Sequence, residues 1–192
     1  MVTAREALAR LQEGNLRFAS NVRGMEAFLS HTRRAELAAG QAPFAIILGC
    51  SDSRVPAEIV FDQGLGDLFV IRVAGNIVAP SQVGSVEFAA ARYDTRLVVV
   101  LGHSQCGAIV ATVEELTRPT VNQSRNLRDD VDALVNAGVR ANIRASVNHL
   151  RHGSQVLEQL IQDQGVRIVG AEYSLETGVV SFLDGAIETG DE

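Results

Sequence analysis

The chain has 192 residues, a formal net charge of −6, 46% hydrophobic residues and no lysine. A chain of this length fits one domain, which buries roughly two thirds of its unfolded surface around a single core. The mild acidity, without a block of like charge, argues against a nucleic-acid or membrane partner. The lack of lysine excludes a phosphate-binding G-x-x-x-x-G-K-[ST] loop and lysine Schiff-base chemistry.

The N-terminal residues predict a cytoplasmic protein. They carry charges throughout and lack the uninterrupted apolar core of a signal peptide, and nowhere in the chain do about eighteen apolar residues follow one another. The chain has two cysteines, Cys50 and Cys106. In a reducing compartment a disulfide between them is disfavoured, so their presence favours metal binding or catalysis.

The first part of the chain predicts two helices and a buried strand. Thr3 and Glu6 form a capping-box pattern, and apolar residues follow at near-helical spacing, which predicts an N-terminal helix that packs as an arm. A second short helix is expected to end at Gly40. The apolar run at 43–48 predicts a strand that stops just before Cys50.

The rest of the chain alternates strands and helices. Strands are predicted at 68–71 and 96–101, helices at 57–61, 80–93, 105–116, 127–149 and 154–164, and a hairpin at 167–173 and 179–183. Apolar strands that alternate with helices predict an α/β fold. Its core is a mainly parallel β-sheet flanked by helices, with an antiparallel edge strand and the N-terminal helical arm.

Two of the predicted strands lead into residues that bind transition metals. Cys50 follows the first strand, whereas His103 and Cys106 follow the third. Functional residues gather past the carboxyl ends of such strands, so the three side chains would converge if these strands were neighbours. Two cysteines and a histidine with an open fourth position are typical of a catalytic Zn²⁺ site. Cys106 also precedes a predicted helix, whose dipole favours a thiolate.

The residues after the first cysteine strengthen this interpretation. A buried cysteine or a histidine taken alone is most often an ordinary structural residue. Here, however, Cys50 is followed at two and four residues by Asp52 and Arg54, a carboxylate and a guanidinium that can pair with each other. Such a pair beside a metal orients its ligands or acts as a switch.

Other catalytic templates fit less well. The run at 102–106, GHSQC, is close to the G-x-S-x-G elbow of serine hydrolases, but Cys106 replaces the last glycine. A Cys106 nucleophile with His103 as its base is conceivable but leaves Cys50 unexplained. The H-x-E and P-C-x-x-C pattern of zinc deaminases does not occur. His149 and His152 lie in a polar stretch and are interpreted as part of a solvated helix face.

The pattern C-x-D-x-R followed by H-x-x-C, together with the sequence around it from 41 to 116, closely resembles the β class of carbonic anhydrases. The resemblance implies reversible hydration of CO₂ to bicarbonate and a proton, by attack of zinc-bound hydroxide on CO₂. It also implies that Cys50, His103 and Cys106 hold Zn²⁺. Asp52 can then fill the fourth zinc position, and its pairing with Arg54 frees the metal for water.

The same resemblance implies a substrate pocket and an oligomer. Gln41 lies where one branch of the family has a glutamine that hydrogen-bonds the substrate, and Phe69 and Phe88 match the apolar wall of the CO₂ pocket. Gly107 is included among the substrate-binding residues. The pocket is often built across a dimer interface, so we expect a homodimer or homotetramer, with the N-terminal helix clasping the partner.

The expected organisation is a single domain over 1–192, with the helical arm at 1–40, the zinc-site core at 41–116, and helices and the hairpin at 117–192. Two alternative functions stay open. One is hydrolysis of CS₂ or COS at the same kind of site. The other is a zinc protein that senses bicarbonate or redox state without turnover, although Asp52, Arg54 and an apolar pocket argue against a sensor.

A departure from one branch of the family concerns regulation. That branch is inhibited by bicarbonate in a separate pocket made by a tryptophan, an arginine and a tyrosine. Arg72 and Tyr173 correspond to the arginine and the tyrosine, but Ile47 stands in the place of the tryptophan, and the chain contains no tryptophan. The sequence therefore predicts weak bicarbonate binding there and non-cooperative kinetics.

Overall fold

The structure is a computed structural model that describes residues 2–22, 31–121 and 128–183. The helices are α1 (Ala4–Ala19), α2 (His31–Leu37), α3 (Ala57–Val60), α4 (Pro80–Tyr93), α5 (Gly107–Val121), α6 (Arg128–His152) and α7 (Gln155–Gln164). The strands are β1 (Ala45–Cys50), β2 (Leu68–Val73), β3 (Leu97–His103), β4 (Arg167–Tyr173) and β5 (Val180–Phe182), and a 3₁₀ turn, Ala74–Asn76, follows β2.

The five strands form one sheet in the order β2-β1-β3-β4-β5. The first four of these are parallel to one another, whereas β5 runs antiparallel to β4 at the edge. In the register, Gly49 of β1 lies opposite Arg72 of β2 and Leu101 of β3. The predicted α/β fold with an antiparallel edge is therefore confirmed, and β1 and β3 are neighbours, as convergence of the candidate metal ligands requires.

Helices cover both faces of the sheet, which explains why β1 and β3 are apolar at almost every position. Ile47 of β1 packs with residues of α1 and α3, whereas its neighbours Ile46 and Leu48 pack with residues of α4, α6 and α7. Successive side chains of a strand point to opposite faces, so one strand contributes to both core layers. The carboxyl ends of β1 and β3 are thereby fixed side by side.

The predicted N-terminal arm lies against its own chain. Helix α1 buries Leu8 and Leu11 in the core layer on one face of the sheet. Buried Asn15 donates hydrogen bonds from Nδ2 to the carbonyl oxygens of Val60, at 3.1 Å, and Gly178, at 2.8 Å. These contacts tie α1 to helix α3 and to the turn between β4 and β5. A clasp on a partner would have to use the outer face of the helix.

Most predicted boundaries hold within a few residues, and the capping box of Thr3 and Glu6 forms. Strands β1, β2 and β3 each run two residues beyond their predicted ends, because backbone pairing continues past the apolar side chains. Helix α5 begins two residues later than predicted, since Gln105 has a left-handed φ of 53° that a helix cannot contain. The predicted helix start at 127, residues 23–30 of the arm and residues 184–192 lie outside the described residues. The division of the domain into an arm, a core and a C-terminal part, with boundaries at 40 and 116, stays a prediction.

None of the helices within the described ranges combines the length and the apolar character that crossing a bilayer requires.

Candidate metal centre

The carboxyl ends of β1 and β3 bring two thiols and an imidazole together. Cys50 is the last residue of β1, His103 is the last residue of β3, and Cys106 directly precedes α5. Their ligand atoms all lie within 4.8 Å of one another, and the two Sγ atoms are 3.9 Å apart. All three side chains are buried. Cysteine thiolates and imidazole at this spacing form a donor set suited to Zn²⁺.

The orientation of His103 fits a metal ligand. Its Nδ1 lies 2.9 Å from the carbonyl oxygen of Ser104. A carbonyl oxygen only accepts, so Nδ1 donates and Nε2 carries the free lone pair. Nε2 is buried and has no hydrogen-bond partner among the described residues. Because buried polar atoms are rarely left unpaired, the free lone pair beside the two thiols is suited to binding a cation. We call Cys50, His103 and Cys106 the ligand cluster.

A backbone amide supports the first cysteine. The N–H of Gly75, in the 3₁₀ turn after β2, donates to Cys50 Sγ at 3.3 Å. Gly75 has a φ of 72°, and a Cβ added there would lie 3.2 Å from Ala108 Cβ. A glycine is therefore required for both the turn and the close approach to α5. Our sequence interpretation missed this contact, for which the only signal was the Ala-Gly-Asn run after β2.

Asp52 and Arg54 form a forked ion pair beside the thiols and His103. Arg54 Nε donates to Asp52 Oδ1 at 2.9 Å, and an Arg54 terminal nitrogen donates to Oδ2 at 2.7 Å. The same terminal nitrogen also donates to the Gln105 carbonyl oxygen at 3.3 Å. These hydrogen bonds hold the pKa of the Asp52 carboxyl well below its usual range. Asp52 Oδ2 lies 3.9 Å from His103 Nε2, so the ionised carboxylate faces the ligand cluster.

A second arginine fixes the backbone between Cys50 and Asp52. Arg72 Nε donates to the Cys50 carbonyl oxygen at 3.0 Å, and an Arg72 terminal nitrogen donates to the Asp52 carbonyl oxygen at 2.6 Å. The two residues expected beside Arg72 in a bicarbonate pocket, Ile47 and Tyr173, are buried in the core layer that contains α1. Arg72 thus supports the loop that carries the forked pair.

The predicted substrate residues divide into two groups. Gly107 is the first residue of α5 and follows Cys106 directly, so it lies beside the ligand cluster. Gln41 precedes β1, at the opposite end of that strand from Cys50, and donates to the Tyr93 hydroxyl at 3.0 Å.

Phe69 and Phe88 lie with Gln41 rather than with the ligands of their own chain. The rings of Phe69, Phe88 and Tyr93 are 5.7 to 6.2 Å apart, and Phe88 is 52% exposed. Phe69 pairs with Ile46 of β1. Four strand residues, about 13 Å, separate this position from Cys50. We call the group of Gln41, Phe69, Phe88 and Tyr93 the aromatic patch.

The two other histidines singled out in the sequence take no part in the metal centre. His149 and His152 lie on the last turns of α6, and both are exposed. Their interpretation as a solvated helix face is confirmed.

Comparison with known proteins identifies the family to which this arrangement belongs. Residues 45–180 match the model of the carbonic anhydrase family. The chain is 37% identical over 195 residues to carbonic anhydrase 2 of Mycobacterium tuberculosis, across 95% of this chain and 94% of that protein.

Solved structures show the same fold. The β-carbonic anhydrase CcaA superposes with a TM-score of 0.67 at 27% identity, across 93% of this chain and 95% of that one. One of two tetrameric β-carbonic anhydrases from Sordaria macrospora superposes with a TM-score of 0.61 at 24% identity, across 79% and 85%. The family match spans both strands that carry the thiols and His103, and the 37% identity extends over nearly the whole chain. The chain therefore belongs to the β class of the carbonic anhydrases, lyases whose general reaction is the hydration of CO₂.

Proposed function

We propose that this chain catalyses the zinc-dependent, reversible hydration of CO₂ to bicarbonate and a proton, with Cys50, His103 and Cys106 as the zinc ligands. The observation that carries the proposal is the buried His103 Nε2, which has no hydrogen-bond partner among the described residues and lies beside two thiols. Three protein ligands leave one position for chemistry, as in catalytic zinc sites. When bound, Zn²⁺ supplies the activation of water at neutral pH that the reaction needs.

Asp52 and Arg54 are proposed as the catalytic pair. Asp52 stays ionised because Arg54 holds both carboxylate oxygens, and one of them lies 3.9 Å from His103 Nε2. In this position the carboxylate accepts a hydrogen bond from the reacting water and orients it towards CO₂. Gly107 follows Cys106 directly at the start of α5, which supports its proposed role as a substrate-binding residue. Reduced thiols suit a reducing compartment, and we propose the cytoplasm.

Removal of the metal tests this function. Purified protein is expected to contain one Zn²⁺ per chain and to hydrate CO₂. Treatment with a chelator should abolish both properties, because the thiols and imidazole cannot activate water alone, and added Zn²⁺ should restore them. The rates are measured by stopped flow with a pH indicator, and COS and CS₂ are assayed on the same samples. Full activity after complete loss of zinc would contradict the proposal, and zinc binding without turnover would support a sensor.

A second copy of the chain is proposed to complete the substrate pocket. The aromatic patch lies at the opposite end of β1 from Cys50 and exposes the Phe88 ring, so it cannot line the pocket of its own chain. In a twofold dimer, the patch of one protomer can face the ligand cluster of its partner, which produces two equivalent sites. A tetramer, as described for the Sordaria macrospora proteins, would be a pair of such dimers.

Subunit complementation tests the shared pocket. Gln41→Ala is expected to lower kcat/KM by roughly tenfold, because a hydrogen bond to the substrate is lost. Cys106→Ser should be inactive. Co-expression of the two variants in equal amounts should restore about a quarter of the wild-type rate. Half of the randomly assorted dimers are mixed, and in each mixed dimer one of the two sites combines an intact Cys106 with an intact Gln41 from the other chain. A rate equal to half that of Gln41→Ala alone would show that each pocket is built from one chain.

Bicarbonate is expected to inhibit this enzyme only as a product. Ile47 is fully buried and presents neither an N–H donor nor a flat ring, and Arg72 is engaged with two loop carbonyl oxygens. An anion there would lose about 1–3 kcal/mol for each missing contact, which weakens binding roughly tenfold or more. Initial hydration rates, measured at constant ionic strength and corrected for the reverse reaction, should fall little up to about tens of millimolar bicarbonate. A steep sigmoidal fall would contradict this prediction.

A further inference from the structure

Helix α6 holds the turn that donates to Cys50. Asn142 Nδ2 donates to the Gly75 carbonyl oxygen at 2.7 Å, and Ser146 Oγ donates to the Asn76 carbonyl oxygen at 3.1 Å. Asn142 and Ser146 are four residues apart, so they lie on the same face of the helix, one above the other. Two successive carbonyl groups of the 3₁₀ turn are therefore fixed by a single helix.

The position of α6 on the sheet is set by an isoleucine between these two side chains. Ile143 is fully buried and packs over Gly102 of β3 and Gly170 of β4. A Cβ added at Gly102 would lie 2.5 Å from Ile143 Cδ1, and one added at Gly170 would lie 2.7 Å from Ile143 Cγ2. The two glycines thus form a recess that seats the helix and brings Asn142 and Ser146 to the turn.

The turn itself has a left-handed backbone at two successive residues. Gly75 has a φ of 72°, and Asn76, which carries a side chain, has a φ of 44°. Glycine adopts this conformation freely, whereas asparagine adopts it at a modest cost that hydrogen bonds to the turn can offset. Helix α6 supplies two such hydrogen bonds, from Asn142 and Ser146. Without them, we expect the turn to relax and the Gly75 N–H to move away from Cys50 Sγ.

We propose that Asn142 and Ser146 are positioning residues of the metal centre, which hold the Gly75 N–H on Cys50 Sγ and so set how strongly this thiolate donates charge to the metal. The inference rests on the proposed zinc ligands. An N–H···S hydrogen bond withdraws electron density from sulfur. A centre with two thiolates carries more negative charge than one with three histidines, so a fixed donor at one sulfur partly offsets that excess.

The test compares Asn142→Leu with Asn148→Leu, a matched change at an exposed asparagine on the same helix. Both variants and the wild type are loaded with Co²⁺, and the sulfur-to-cobalt charge-transfer band is recorded. Loss of the hydrogen bond raises the energy of the sulfur lone pair, so Asn142→Leu should move this band to longer wavelength. Its affinity for Zn²⁺, measured by competition with a chromophoric chelator, should fall roughly 10- to 100-fold, because Cys50 is no longer held in the position that suits the metal. Asn148→Leu should match the wild type in both measurements.

Ser146→Ala provides a second, milder variant. Ser146 donates to the carbonyl group of Asn76, one residue beyond Gly75. The charge-transfer band of Ser146→Ala should therefore move in the same direction as that of Asn142→Leu, by a smaller amount. Asn142→Leu and Ser146→Ala bands that coincide with the wild-type band would overturn the inference, even if their melting temperatures fell. A wild-type protein that binds Co²⁺ without any sulfur-to-cobalt band would instead overturn the proposed zinc ligands, and this inference with them.

Discussion

Replacing Cys106 by serine is expected to remove both the metal and the activity. The hydroxyl of serine stays protonated at neutral pH, so the centre would lose one of its two anionic donors. Structural zinc sites with four protein ligands bind Zn²⁺ with a free energy of about 10–16 kcal/mol, which is about 3 kcal/mol for each ligand. Loss of one ligand should therefore weaken zinc binding roughly 100-fold or more. Zinc content, measured by elemental analysis after dialysis, should fall from one per chain to near zero, and CO₂ hydration should fall to the background rate.

A matched serine variant controls for damage to the fold. Ser53→Ala changes an exposed residue between Asp52 and Arg54 and should retain zinc and most of the activity. Thermal unfolding of the Cys106→Ser protein, compared with that of chelated wild type, separates loss of the metal from loss of the fold, because both samples lack zinc. If Cys106→Ser retained full zinc occupancy and turnover, the assignment of the ligands would be wrong.

Arg54→Ala is expected to abolish activity while zinc content stays near one per chain. Arg54 is the partner that holds both Asp52 oxygens. Once this guanidinium is removed, the bound metal becomes the strongest positive charge close to the carboxylate, which already lies 3.9 Å from His103 Nε2. Asp52 should then occupy the fourth position and exclude water. We expect a fall in kcat of roughly 10³-fold or more, because the activated water itself is lost.

Cobalt-substituted protein shows whether Asp52 is the cause. In Arg54→Ala the visible spectrum should no longer respond to added azide, because no open position is left, whereas the wild-type spectrum should change. The double variant Asp52→Ala with Arg54→Ala should regain the azide response. Arg118→Ala, which breaks an exposed ion pair with Glu115 on α5, is the control and should behave as wild type. Wild-type rates in Arg54→Ala would show that Asp52 does not compete with water.

Short sequence motifs were sufficient to predict much of the candidate site. Cys50, Asp52 and Arg54 lie within five residues, and His103 and Cys106 within four, so each motif can be recognised from the local sequence. The apolar runs of β1 and β3 predicted two buried parallel strands, because only strands covered on both faces are apolar throughout. The sequence left open whether these two strands are neighbours, and the observed strand order shows that they are.

Contacts between distant backbone segments could not be predicted in this way. The Gly75 N–H donates to Cys50 Sγ from a left-handed turn, and that turn accepts hydrogen bonds from Asn142 and Ser146 of α6. The sequence does not show which backbone N–H or carbonyl group will take part in a contact. It also does not distinguish the polar residues of a long helix that make such contacts from those that face solvent. The recess of Gly102 and Gly170 under Ile143 is likewise visible only after the sheet and the helix are assembled.

Local sequence was enough to predict the α/β fold, the three candidate metal ligands and the pair of Asp52 and Arg54, because these predictions depend on local periodicity and on motifs of at most five residues. The side chains that lie together within one chain could be identified only from the packing of the folded chain. It placed the aromatic patch at the far end of β1 from Cys50, and it laid α1 against its own sheet through Leu8 and Leu11. The positions of the aromatic patch and of α1 both result from packing between segments that are far apart in the chain. The free energy of such packing depends on how well whole surfaces fit together, which local sequence patterns do not show.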